Sequence, residues 1–376
     1  MKIGRLIGAA AISASALAFA GLQASALELR VASGSPPAHP SNNPVYTTFI
    51  DELPKLSNGE LTAKHYGLEV VTLGTGLSSL ESGVVDIANV LMQYFPADFP
   101  NSMLLADLAP LGTVGSGMAA ATIEYYVTCA DCQAEFANKG IVYISSVSTP
   151  SYDILTTRKP VRTAADVEGL RLRSPGAAFS LWIKTMGAIP AEISFNEEYE
   201  ALQGGLIDGT IAPPVNLVGN RLSEVTKYYT PVGVGTLNAT STFSVRSETW
   251  KSLTEDQRRA IVNAGLSGSV WFEPESRKAG VKGLELLKES GGEVLEPAPD
   301  LVEKTKALQA EAIAKGVENG KEIYRISDPE GKARRFASLV EKWNAIMLPI
   351  QDDPAAMTAA LKREVWDEVD LSTYGM

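Results

Sequence analysis

Leu80-Glu81-Ser82-Gly83-Val84-Val85-Asp86 returns later in the chain as Leu202-Gln203-Gly204-Gly205-Leu206-Ile207-Asp208. Each stretch reads as a helix end, a glycine stop, an apolar pair and an aspartate at the opening of a strand. Two such turns in separate parts of one chain suggest two related α/β lobes. Their strand ends would face a single cleft, the place where open α/β sheets bind ligands. The competing reading is a chance match of seven residues between two common turns.

The flanking sequence supports α/β alternation. Residues 27–32 alternate apolar and polar and predict a first strand; 45–56 have helical periodicity and stop before Asn58-Gly59. Strand 61–66, helix 77–81 and buried strand 85–92 follow. Further strands are expected at 141–147, 152–157, 170–173, 206–212 and 242–246. This order excludes a sandwich or a bundle. Beyond residue 254 the chain turns charged and strand-poor, so 255–290 and 301–319 are expected to be helices packed on the α/β body.

The 376 residues carry 33 Lys+Arg against 44 Asp+Glu, a formal charge of −11, with 45% hydrophobic residues. Disorder is excluded by that hydrophobic content, and nucleic acid by the acidity without any basic run. Lys2 and Arg5, an apolar stretch 6–20 and Ala24-Ser25-Ala26 form a signal-peptide pattern, predicting cleavage after residue 26. The stretch is shorter than a membrane span needs, and no cysteine follows it for a lipid anchor. Its loss takes the charge from −11 to −13, since Lys2 and Arg5 are its only charged residues. The expected mature chain is soluble and exported, periplasmic in a Gram-negative cell.

Export places Cys129-Ala130-Asp131-Cys132 in an oxidising compartment. A redox motif should follow a strand, but 122–128 reads as helix. A zinc site lacks two further ligands nearby, because His39 and His65 are the only histidines. A local Cys129–Cys132 disulfide is the favoured reading, contributing roughly 2 kcal/mol for so short a loop. No metal or cofactor is expected. The GxSxG, GxGxxG, Walker A, HExxH and EF-hand patterns are absent. His65 sits in a strand and reads as structural, whereas His39, in a proline-rich loop, is a candidate ligand contact.

The stretch Asp166-Val167-Glu168-Gly169-Leu170-Arg171-Leu172-Arg173-Ser174-Pro175-Gly176 resembles the DLKGLKIRVPG signature of the DctP-type solute-binding proteins of TRAP (tripartite ATP-independent periplasmic) transporters. Met186-Gly187-Ala188-Ile189-Pro190 is similar to that family's LGANP. Phe195, with 197–209, is similar to its F-x-E-x-Y-x-A-L-Q-x-G-x-x-D-G. The resemblance implies a two-lobe periplasmic binding protein fold whose cleft lies between lobes joined by hinge strands and a long helix. It also implies the organisation: lobe I over 27–147 with a return at 239–253, lobe II over 148–238, and bracing helices over 254–376.

By the same resemblance the protein is not an enzyme. It captures an organic acid and hands it to the integral membrane subunits of a TRAP transporter. A binding protein of an ABC importer or a sensor, and a secreted enzyme, are the alternatives. Arg173 maps onto the family arginine that holds the substrate carboxylate. Strand alternation points Arg171 to the same face, and the resemblance, not the pleat, selects Arg173. Phe195 matches an aromatic of the cleft wall, with an ordinary core Phe as the equal alternative. Ala212 stands where the family usually has asparagine, and Tyr152 near the place of a second arginine. These departures favour a monocarboxylate or a bulkier, more apolar acid, with Tyr94, Phe95, Tyr152 and Trp182 as candidate apolar contacts.

Overall fold

The computed structural model describes residues 26–112 and 114–376; the expected signal peptide lies outside the described residues except for Ala26. Eleven strands are described: β1 (Leu27–Ala32), β2 (Leu61–His65), β3 (Ile87–Leu91), β4 (Ile141–Ser145), β5 (Asp153–Thr156), β6 (Arg171–Ser174), β7 (Ile189–Glu192), β8 (Gly209–Ala212), β9 (Tyr228–Thr230), β10 (Thr240–Arg246) and β11 (Glu293–Val294). They form two sheets, one ordered β2-β1-β3-β10-β4 and the other β11-β9-β5-β8-β6-β7. In the first, β1 runs parallel to β2 and β3, while β10 runs antiparallel to β3 and β4. In the second, β6 runs parallel to β7 and β8, while β5 runs antiparallel to β8 and β9. The two lobes therefore repeat one topology.

The seven-residue echo is a structural repeat. Val84 and Val85 N–H both donate to Ser79 O, at 2.9 and 3.3 Å, and Leu206 and Ile207 N–H both donate to Ala201 O, at 2.9 and 3.4 Å. Gly83 and Gly205 sit at φ 72° and 70°, the left-handed conformation in which a side chain would be strained. Asp86 N–H then donates to Arg30 O, and Asp208 N–H to Arg171 O, each at 2.8 Å.

Two strips carry the chain between the lobes, 146–152 outward and 234–240 back. They lie side by side, with Val234 N–H on Tyr152 O at 2.8 Å and Leu237 N–H on Thr149 Oγ1 at 3.0 Å. The helix Phe272–Glu289 touches the Ser41–Tyr46 turn of the first lobe and the Asn216–Gly219 helix of the second. The region expected as helix over 255–290 is two helices, Glu255–Ser269 and Phe272–Glu289. Pro274 accounts for the break: it has no N–H and is tolerated only in a first turn.

Three short strands carry no pattern of their own in the sequence. β7 contains Pro190 and is the sheet edge, where the missing N–H costs no ladder bond. β9 and β11 have three and two residues, too few to display alternation. Cys129 caps the helix Ala130–Asn138 and is bonded to Cys132, S–S 2.10 Å, directly after the helix Gly115–Thr128.

Candidate functional site

Between the sheets lies a cavity to which both lobes contribute. From the first come Asn89 and Leu91 of β3, Tyr94 just beyond it, and His39; from the second come Tyr152, Arg173 and Phe195. Five of the eight candidate contacts singled out in the sequence (Arg173, Phe195, Tyr152, Tyr94 and His39) thus meet in one place. Trp182 and Ala212 do not. Trp182 faces the helix Pro299–Ala310, its indole donating to Thr305 Oγ1 at 3.0 Å, and lines a separate cavity with Phe179 and Leu308. Ala212, fully buried at the end of β8, packs with Leu155, Leu202 and Leu217 and is too short to reach the cleft. Phe95 is partly buried against the first lobe's core.

Arg173 is 2% exposed and ends β6 at the cleft, whereas Arg171 starts the strand at the surface. The pleat sends both to one face, and position along the strand separates them. Arg171 pairs with exposed Asp208 at 3.2 Å. Arg173 donates from Nε to Ile193 O at 3.0 Å and places Nη1 3.6 Å from Glu198 Oε1. Burial works against the Arg173 charge, but Glu198, Tyr94 and Tyr152 outweigh it, so the guanidinium holds its proton more firmly than usual.

Glu198 is fully buried, and sequence reasoning passed over it. Its Oε1 accepts from Thr210 Oγ1 at 2.6 Å; its Oε2 accepts from Asn216 Nδ2 at 3.3 Å and Asn220 Nδ2 at 3.0 Å. A buried charge pair needs such extra bonds to offset its desolvation. Asn216, also missed, brings to the cavity the amide that Ala212 lacks; its position just after Pro213-Pro214 was the available signal.

The aromatic wall is locked across the cleft. Phe195 N–H donates to Tyr94 Oη at 2.8 Å, and the Phe195 ring meets His39 edge-on at 5.1 Å. His39 Nδ1 accepts the Ser41 N–H at 3.2 Å, which leaves its proton on Nε2. Burial pushes this imidazole down to about 4, so it is neutral at pH 7. Gly219 permits its approach, since a Cβ there would stand 2.7 Å from His39 Cδ2. Burial likewise pushes the Tyr152 phenol up, keeping it a neutral hydroxyl.

One buried guanidinium among aromatic and aliphatic side chains can hold a single carboxylate by paired charged hydrogen bonds and cover an apolar body. Among the described residues, no group of three or more His, Cys, Asp or Glu side chains is placed to hold a metal ion. No described helix is long and apolar enough to cross a membrane.

Known proteins agree with this architecture. Residues 31–319 match the model of the DctP family, bacterial extracellular solute-binding protein family 7. The C4-dicarboxylate-binding periplasmic protein DctP of Rhodobacter capsulatus is 27% identical over 141 residues, covering 37% of this chain and 42% of that relative. The chain thus aligns with less than half of that relative's length. A marine-metagenome TRAP solute-binding protein specific for aromatic acid ligands, solved with 3-hydroxybenzoate, superposes with TM-score 0.74 at 21% identity, covering 85% of this chain and 100% of its own. A TRAP solute-binding protein from Rhodoferax ferrireducens, solved with copurified benzoate, gives 0.75 at 21% identity, covering 85% and 99%. Since the family model spans most of the sequence, the chain belongs to the bacterial extracellular solute-binding protein family 7, a family of binding proteins and not of enzymes.

Proposed function

We propose that this protein captures a small organic acid, its carboxylate on Arg173, and delivers it to the membrane subunits of a TRAP-type transporter. Segment 1–26 directs export to the periplasm. Two bodies, 27–147 with 239–253 and 148–238, close on the ligand, braced by the helices of 254–376. Tyr94, Tyr152, Phe195 and His39 cover the acid's apolar part. The observation that supports this reading most is a cationic side chain, 2% exposed, in a cavity otherwise lined by neutral residues. Structural neighbours solved with 3-hydroxybenzoate and benzoate favour an aromatic monocarboxylate. Capture by a local charge also suits a chain of net charge −11, whose long-range field repels anions.

The test is a thermal-shift screen of organic acids followed by calorimetry on each hit. Arg173→Ala should weaken binding by about 100-fold or more, the worth of two charged hydrogen bonds. Arg171→Ala should leave it unchanged. Equal affinity in wild type and Arg173→Ala removes the anchor.

A further inference from the structure

Asn89 is the polar group of the cleft that the protein leaves unsatisfied. It lies on β3 between Ala88 and Val90, both of which point into the first lobe's core, while Asn89 and Leu91 face the cavity. The residue is 4% exposed, and its buried Oδ1 has no hydrogen-bond partner. Other polar residues of the lining are engaged: Thr149 with Leu237, Thr240 with Val147, His39 with Ser41, Asn216 with Glu198. Among the described lining residues, Asn89 Oδ1 is the one buried side-chain oxygen or nitrogen without a partner. Such groups are costly in a folded protein, and at a binding site they mark where a ligand supplies the missing bond.

We propose that Asn89 recognises a hydroxyl substituent of the bound acid, so that the preferred ligands are hydroxy-substituted monocarboxylates. This rests on the reading of the cleft as an acid-binding site and extends it to the part of the ligand away from Arg173. The lining chemistry narrows the class. Among the described residues no second Lys or Arg lines the cavity, so a second carboxylate would be buried without a counter-charge. No described Asp or Glu lines it either, so an ammonium group would be equally unpaired. A hydroxyl is neutral and both donates and accepts, so it satisfies the amide whichever way the side chain is turned. A bare hydrocarbon acid would leave Asn89 unpaired, the situation in which polar sites discriminate most strongly.

Calorimetry on the full mature chain compares benzoate, 3-hydroxybenzoate, 4-hydroxybenzoate, phenylacetate, mandelate and isophthalate. At least one hydroxy acid should bind about tenfold tighter than its parent, and isophthalate should bind more weakly than benzoate. Asn89→Leu, which keeps the volume, should erase the hydroxyl preference, lowering the affinity of the hydroxy acid by more than that of its parent. Asn89→Ser, which keeps a hydrogen-bonding group, should retain part of it, and unchanged melting of the free variants confirms their folding. The inference is overturned if no hydroxy acid exceeds its parent, or if the preference survives in Asn89→Leu. Binding of the acids without that discrimination indicts Asn89 alone. Failure of every acid to bind removes the acid-binding reading and this inference together.

Discussion

Glu198 stands where it would compete with the proposed carboxylate for the charge of Arg173. It sits 3.6 Å from Nη1, fully buried, with Thr210, Asn216 and Asn220 holding its two oxygens in place. In the free protein it is the counter-ion that makes a buried guanidinium tolerable; in the proposed complex it would share that role with the carboxylate. Glu198→Gln should therefore lower the stability of the free protein by about 3 kcal/mol, the scale of breaking a buried pair. The stabilisation gained from a bound acid should grow, because the ligand becomes the only counter-charge. Urea melts with and without ligand measure both, and an unchanged free protein would sink the idea. Arg173 was legible only through the family resemblance, because strand alternation alone puts Arg171 and Arg173 on one face. Glu198 was not: it follows Glu197, an exposed acid accepting from Ser194 at 2.7 Å. Nothing local separates two adjacent acids when the deciding contact comes from residue 173.

At the level of elements, each lobe clasps its α/β turn with the same arginine–aspartate pair. Arg30 donates to Asp86 from N, Nε and Nη2 at 2.9, 2.9 and 3.0 Å; Arg171 donates to Asp208 at 2.9, 3.2 and 3.2 Å. The glycine stop and closing aspartate were visible as a motif. The arginine partners were not, since each comes from a neighbouring strand far away in the chain. Short strands such as β9 and β11 stayed hidden because tertiary pairing, not local pattern, makes them strands. The two clasps differ in setting. The Asp86 side chain is 11% exposed and also accepts from Thr249 Oγ1, whereas that of Asp208 is 40% exposed. Asp86→Ala should cost about 2 kcal/mol, and Asp208→Ala less than half as much, as expected for an exposed pair. Burial raises the Asp86 carboxyl, yet its bonds to Arg30 and Thr249 bring it below the usual 3.8; the Arg171 bonds do the same for Asp208. On acidification the unfolded chain then takes up these protons first. Their contribution is full above pH 3.8 and disappears as pH falls through the lower native values. Denaturant melts from pH 7 to 3 should show the wild type converging on Asp86→Ala at the acid end; a constant gap would contradict the clasp.

Across the whole molecule, the proposed closure of the lobes would be held by a contact outside the cavity lining. The Asn196 amide bridges the lobes: its Oδ1 accepts Leu73 N–H at 3.3 Å and its Nδ2 donates to Gly34 O at 3.2 Å. Asn196 is not among the residues lining the cavity, so its effect on binding must pass through the position of the lobes. Such a bridge adds to the closed population, and apparent affinity scales with the fraction of molecules in the binding-competent state. Two neutral hydrogen bonds exchanged for water are worth about 1.4 kcal/mol together, or tenfold in that equilibrium. Asn196→Ala should accordingly weaken every acid by the same factor of about ten, without changing the ranking among them. The loss should appear mainly as faster dissociation, because the bridge forms only once the lobes meet. Asn89→Leu should differ in kind, altering the ranking among the acids, while Arg173→Ala should weaken all of them far more than tenfold. Stopped-flow displacement with two acids of unlike size separates these effects. An Asn196→Ala variant that weakens one acid and spares the other would place that side chain in the binding pocket and not in the hinge equilibrium.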